Sequence, residues 1–269
     1  MKNMLLLLLA IVFTNPIHAQ EKEYIELQFY MDEDDLLQQL LFQDRISRDS
    51  EKQVQAIQNF RAFMWSRYEK ELLTFRYGDP QNSRYKWCLS KIKEEAKKCP
   101  DYAELFAQTQ ERLEYCKNQW ETNYQQSFAI MKEITRLHFH RTFRVYIGHP
   151  AVPEGRYRRN MTICWGGREY GKNYTTVYLW HEIMHSYCPH GLVGHSLQEL
   201  AADNELRQRL NGPEDHSWGT NENVGHPEQD SFRLFMRNDW KRYREASNID
   251  ILDLARAIKK RYGIVEQTQ

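Results

Sequence analysis

Residues 178–188 read Tyr-Leu-Trp-His-Glu-Ile-Met-His-Ser-Tyr-Cys, and they set His181, Glu182 and His185 among apolar side chains. The apolar spacing predicts one helix, starting near Thr175 or Thr176, whose hydroxyl can cap the free backbone amides. On a helix, residues four apart lie one turn apart on one face, so His181 and His185 can aim ring nitrogens at a single point. Zinc accepts imidazole nitrogen at ~2.0–2.1 Å and takes four ligands, which leaves two positions to fill. Glu182 can then reach a water at the same ion and take its proton as the oxygen attacks a carbonyl. The bland alternative is a pair of buried histidines donating to neighbouring carbonyls, and it leaves Glu182 with no part to play.

The surrounding chain predicts where this helix sits. Residues 143–147 alternate as a strand, a connection with Gly148, Pro150, Pro153 and Gly155 follows, and residues 160–165 read as a second strand ending at Gly166-Gly167. After the helix, a polar connection over 189–195 leads to another helix from Ser196 to about Leu210, stopped by Asn211-Gly212-Pro213. A loop follows to residue 229, then helices over 231–246 and 249–262. Upstream, residues 32–76, 87–98 and 101–137 carry apolar positions at helical spacing. The predicted fold class is α+β and mostly helical: a helical module over 20–140, then a domain over 141–269 with a small sheet and the histidine-bearing helix.

A third ligand is sought on the next helix. Glu199 and Asp203 are four apart there, so Glu199 can coordinate zinc while Asp203 accepts a hydrogen bond from the far nitrogen of a ligating histidine. Ser196-x-x-Glu199 is also a capping box, in which Glu199 serves only the helix start. His195, Glu205, His190 and Cys188 stand as other choices for the ligand.

HEIMH followed by Glu199-Leu-Ala-Ala-Asp203 resembles the gluzincin group of zinc metallopeptidases, over roughly residues 143–210. That resemblance implies a zincin-like catalytic domain with His181, His185 and Glu199 holding Zn2+, Glu182 as general base and Asp203 supporting a ligand. It also implies a peptide or protein substrate lying along the strand 160–165, with its backbone pairing to Thr162, Ile163 and Cys164. A downstream donor for the oxyanion is implied too, with His216 and His226 as candidates, and His226-Pro227 followed by Arg233 is similar to HtpX-type endopeptidases. The chain departs from the group in its connection of 13 residues between His185 and Glu199, since thermolysin-like spacing would select Glu205. Gly194-His195 instead resembles SprT-like proteases, whose third ligand is a histidine. The metzincin pattern fails, because Gly191 stands at its third histidine.

The first residues bear on location. Lys2, an apolar run over 4–13, Asn15-Pro16 and a small Ala19 form the layout of a signal peptide over 1–19, which predicts a periplasmic or secreted protein. The run is about half of the ~20 residues a bilayer span needs, so no stable membrane span is expected after cleavage. Lys+Arg and Asp+Glu are both 37, and loss of Lys2 with the leader makes the mature chain formally −1. Nucleic acid, which selects a net basic face, is therefore not an expected partner. Five cysteines would meet an oxidising compartment, with Cys88–Cys116 and Cys164–Cys188 as possible pairs. The expected function is an exported zinc-dependent peptidase. The alternative is a non-catalytic binding or structural protein stabilised by zinc on a zincin scaffold, which has no need of a carboxylate between its ligands.

Overall fold

Apolar and polar residues alternate through Tyr-Ile-Glu-Leu-Gln-Phe-Tyr, and this stretch forms a strand, β1 (Tyr24–Tyr30), that the helical reading of the N-terminal half passed over. The computed structural model describes residues 23–47, 50–212, 225–246 and 248–265, so the leader read over 1–19 lies outside the described residues. Four helices follow β1: α1 (Glu33–Phe42), α2 (Glu51–Tyr77), α3 (Ser83–Ala96) and α4 (Pro100–Thr135). Then come β2 (His140–Ile147), β3 (Glu154–Arg158), β4 (Thr162–Gly166) and the histidine-bearing helix α5 (Tyr174–Met184). A long helix continues from α6 (Leu192–Glu199) through a π-wound stretch (Leu200–Leu206) into α7 (Arg207–Asn211). The chain ends with α8 (Asp230–Phe235), α9 (Arg237–Ala246) and α10 (Ile251–Tyr262). The protein is α+β and mostly helical, with a small mixed sheet.

The sheet order is β1-β2-β4-β3, with β1, β2 and β4 parallel and β3 antiparallel to β4. This corrects the expectation that residues 160–165 form an open edge. β4 has a partner on each side and all five of its residues are buried, whereas β1 and β3 are the edges, β3 the one beside β4. The Gly and Pro rich connection becomes a strand because Gly155 lets it lie on the Trp165 ring, where a Cβ would stand 3.1 Å from Cζ3. Such close backbone approach is what a strand glycine provides.

Two cores stabilise the chain. One joins Leu36 and Leu40 of α1, Ile57, Phe60 and Met64 of α2, and Ile92 of α3. The other packs the sheet and α5 against the later part of α4, and α4 contributes to both. Trp180, fully buried at the back of α5, lies 5.6 Å from Trp120 and 5.3 Å from Phe139 between ring centres. Burial of an aromatic ring of this size stabilises by roughly 1.5–3 kcal/mol, and it fixes which face of α5 turns toward the site.

Neither expected cysteine pair forms: all five thiols are free and buried. The helix pair does turn near Cys99, but Cys116 packs into the α4–α5 core, its Sγ 3.8 Å from Thr175 Oγ1. Cys164 lies on β4, while Cys188 lines a cavity with Leu252 and Ala255 of α10. Among the described residues no helix is long and apolar enough to cross a membrane.

His149, just beyond β2, is fully buried and its tautomer is fixed by its neighbours. Its Nδ1 accepts from Ala151 N–H at 3.0 Å, so the proton sits on Nε2 and is donated to Gln108 Oε1 at 3.0 Å. Burial pushes this ring down to about 4. The unfolded ring takes a proton near 6.5, so between those pH values the unfolded state binds more protons and stability rises with pH. The expected loss on going from pH 7 to 4 through this ring is about 3 kcal/mol. Urea denaturation should show that His149→Gln loses this part of the pH dependence; an unchanged slope in the variant would contradict it.

Candidate metal centre

The site is built on α5 because the helix buries its polar residues rather than its apolar ones alone. His181 and Glu182 are 2 % and 3 % exposed, deep enough that each needs a partner. Asn173, in the left-handed conformation, precedes the first turn, in place of the expected threonine cap. Thr175 is instead held by Glu169, whose Oε2 accepts from the Thr175 N–H at 3.2 Å. His185 lies just past the last turn of α5, half-buried, its ring stacked on that of Tyr157 from β3 at 6.1 Å.

Asp203 stands where the sequence places it. Its carboxylate accepts from His181 Nδ1 at 2.9 and 3.1 Å, and it is fully buried in the π-wound stretch. π-Helical turns recur at functional sites because they re-aim side chains within an otherwise regular helix. In its neutral form His181 keeps its proton on Nδ1 and leaves Nε2 free. Burial acts to lower the His181 pKa, but the Asp203 carboxylate outweighs it and raises the ring to about 9.

One ring nitrogen from each of His181, His185 and His195 lies within 4.8 Å of the others, which makes these three a group able to hold a metal ion. His195 enters because α6 begins at Leu192, earlier than the Ser196 expected from sequence, so His195 shares that helix with Glu199. Its Nε2 is buried without a hydrogen-bond partner, and its Nδ1 is 2.8 Å from the Gln229 amide. Gln229 also meets the Ser196 hydroxyl at 2.8 Å. As placed, the Gln229 Nε2 faces His195 Nδ1 and its Oε1 accepts from Ser196; a ligating His195 Nε2 requires the amide turned over, so that its oxygen accepts from Nδ1–H. Burial, reinforced by neighbouring rings, lowers His185 to about 3, and burial also lowers His195. Neutral imidazole is the form that ligates a divalent ion.

Glu199 does not join His181 and His185. Its Oε1 accepts from the His226 backbone N–H at 2.6 Å and from His226 Nδ1 at 2.7 Å, while Oε2 pairs with the Arg233 guanidinium. Burial would raise this carboxyl, but His226 and Arg233 hold it below the ordinary range. Gly225, with φ of +94°, completes the grip, because a Cβ there would come 2.6 Å from Glu199 Cδ. These contacts tie residues 225–233 to the site through Glu199. A second metal-competent group, His195, Glu199 and His226, overlaps the first through His195. Ser196 is not a cap, since it lies inside α6.

Of the remaining candidates, Glu205 is engaged elsewhere, while His190 and Cys188 stay close to the centre. Glu205 pairs with Arg209 and Arg244. His190 and Cys188 line a small cavity beside His185 and His195, the Cys188 thiol pushed up to about 12 by burial. His216 lies outside the described residues. Sequence reading missed Gln229 and the Tyr157 backbone, whose amide acts to lower the Glu182 pKa. Neither carries a signal in sequence, because an amide in a loop and a strand N–H look the same wherever they point.

Glu182 supplies the chemistry-bearing group. Its Oε2 has no hydrogen-bond partner although buried, and it lies 3.8 Å from His185 Nε2. Burial pushes its carboxyl up to about 7, with the His181 ring opposing. The residues fit a metal ion, because three ring nitrogens converge and both the His195 Nε2 and the Glu182 Oε2 are buried without a partner. Asp203→Asn is expected to weaken zinc binding by about 10–100-fold, since it loosens the tautomer lock on His181. Competition with a chromogenic chelator measures this, and unchanged affinity would show that Asp203 does not support the ligand.

No family of known proteins, no curated protein and no solved structure matches this chain.

Proposed function

We propose that the chain is a zinc-dependent peptidase in which His181, His185 and His195 hold the ion. The observation that carries this reading is the buried, unpartnered Glu182 Oε2 beside three converging imidazoles. A purely structural clip has no use for such an oxygen, because an unpaired buried carboxylate costs stability and offers a clip nothing in return. A histidine as third ligand favours the SprT-like pattern over the gluzincin one in ligand type.

Zinc bound there supplies Lewis acidity toward the scissile carbonyl and lowers the pKa of water. Glu182 takes the proton of the attacking water and passes it to the leaving amine. His226, oriented by Glu199 through its Nδ1, has its ring centre 5.9 Å from that of His181, and its other ring nitrogen is the donor assigned to the oxygen that becomes negative. A peptide substrate lies along β3, the edge strand whose Tyr157 and Gly155 adjoin Glu182. Placement outside the cytoplasm follows from the leader read over residues 1–19.

The test is to incubate zinc-loaded protein with a mixed peptide library and read new termini by mass spectrometry. Cleavage that stops on chelation and returns with zinc supports the reading. A fully zinc-loaded protein that cleaves nothing, and retains its ion as tightly as a structural site does, favours the clip.

A further inference from the structure

Helices α2 and α3 form a hairpin that turns over residues 78–82, its inner sides joined by Phe75 and Tyr85, whose ring centres lie 5.8 Å apart. The outer sides near the turn are apolar where water favours polar residues: Leu73 is 42 %, Trp87 56 % and Tyr77 71 % exposed. Leu73 and Tyr77 are one turn apart on α2, and Trp87 is the fifth residue of α3, so all three stand within about two turns of the hairpin end. Single exposed apolar residues are ordinary, but three bulky ones at one helical end mark a contact surface. Charge at this end is one-sided. Residues 76–87 carry Arg76, Arg84 and Lys86 against Asp79 alone, in a chain that is formally neutral overall. All three cations are exposed, and among the described residues none meets a carboxylate. The Arg76 guanidinium lies over the Tyr77 ring at 5.2 Å, and the Arg84 and Lys86 bonds are made by their backbone N–H groups, both to Asn82. Asp79 serves the turn itself, accepting from the Gln81 N–H at 2.9 Å.

We propose that this end of the hairpin docks on a lipid surface bearing anionic headgroups. Trp and Tyr rings settle at headgroup level, where the apolar body is sheltered and the polar tip stays hydrated, and Leu73 reaches the acyl boundary. Arg76, Arg84 and Lys86 then face lipid phosphates, each worth roughly five-fold in affinity at a strongly anionic surface. A protein partner fits less well, because the three apolar side chains sit on two helices with a polar turn between them and make no single apolar centre for an interface to bury. A headgroup layer has no fixed shape to match and accepts such a scattered set. None of these residues takes part in the metal centre, so the inference is independent of what the histidine cluster does.

The test is co-sedimentation with vesicles of phosphatidylcholine alone and of phosphatidylcholine mixed equally with phosphatidylglycerol. The chain is used from Gln20 onward, so that the apolar leader cannot bind lipid itself, and this leaves every described residue in place. It is expected to pellet with the mixed vesicles, to leave them as salt is raised, and to stay in solution with the neutral ones. Arg84→Gln combined with Lys86→Gln should lower the partition coefficient roughly 30-fold. Tyr77→Ser combined with Trp87→Ser should lower it roughly ten-fold or more. All four side chains are exposed, so both variants keep the fold. Brominated acyl chains should quench tryptophan emission more in the unaltered protein than in Trp87→Phe. Equal pelleting with neutral vesicles would overturn the anionic assignment, and pelleting untouched by either double variant would place the contact on another face and overturn the proposal. A chain that pellets with neither vesicle would overturn it as well, leaving the surface to a protein partner.

Discussion

Glu182→Gln is expected to retain about one zinc per chain while lowering peptide hydrolysis by about 10²–10⁴-fold, the usual worth of a general base. The substitution is nearly isosteric and keeps one carbonyl oxygen at the site. It removes only the capacity to take a proton. Because Glu182 is buried with one oxygen unpartnered, exchanging that oxygen for an amide should not destabilise the fold, and the melting temperature should hold or rise. Hydrolysis by the zinc-loaded variant at the wild-type rate would remove Glu182 from the reaction. Loss of both zinc and activity would make its role structural.

A second large effect separates His195 from Glu199. His195→Ala is expected to lower zinc affinity by more than the ~100-fold that a supporting partner is worth, because it removes a ligand outright. Glu199→Gln should keep the zinc but cost about 3–5 kcal/mol of stability, since Arg233 would be left with a buried, poorly matched charge. Parallel metal titration and urea denaturation of the two variants decide the matter. The opposite outcome, zinc lost with Glu199 and kept without His195, would restore the ligand set implied by the gluzincin resemblance.

These two residues mark where sequence reading stopped. The pairing of His181 with His185 was legible because it depends only on the pitch of one helix. Asp203 was legible for a related reason: a carboxylate four residues beyond Glu199 had to lie near it, whether the turn between them was α or π. Which of His195 and Glu199 faces the ion depends instead on where α6 begins and on partners about thirty residues downstream. His226 and Arg233 claim both oxygens of Glu199, and nothing local announces that. The strands follow the same division. β1 carries its own alternation in Ile25, Leu27 and Phe29, a signal that lies wholly within the strand. β3 was not readable, because Gly155 and its neighbours extend only when β4 and the Trp165 ring are there to pair with them.

The hydrolase reading rests on three imidazoles sharing one ion with a position left open for water. Zinc K-edge X-ray absorption on the purified full chain examines that arrangement most directly. About one zinc per chain is expected, bound by three imidazole nitrogens at ~2.0–2.1 Å and one oxygen. Protein with no stoichiometric metal, or a closed shell of four protein ligands, would contradict it.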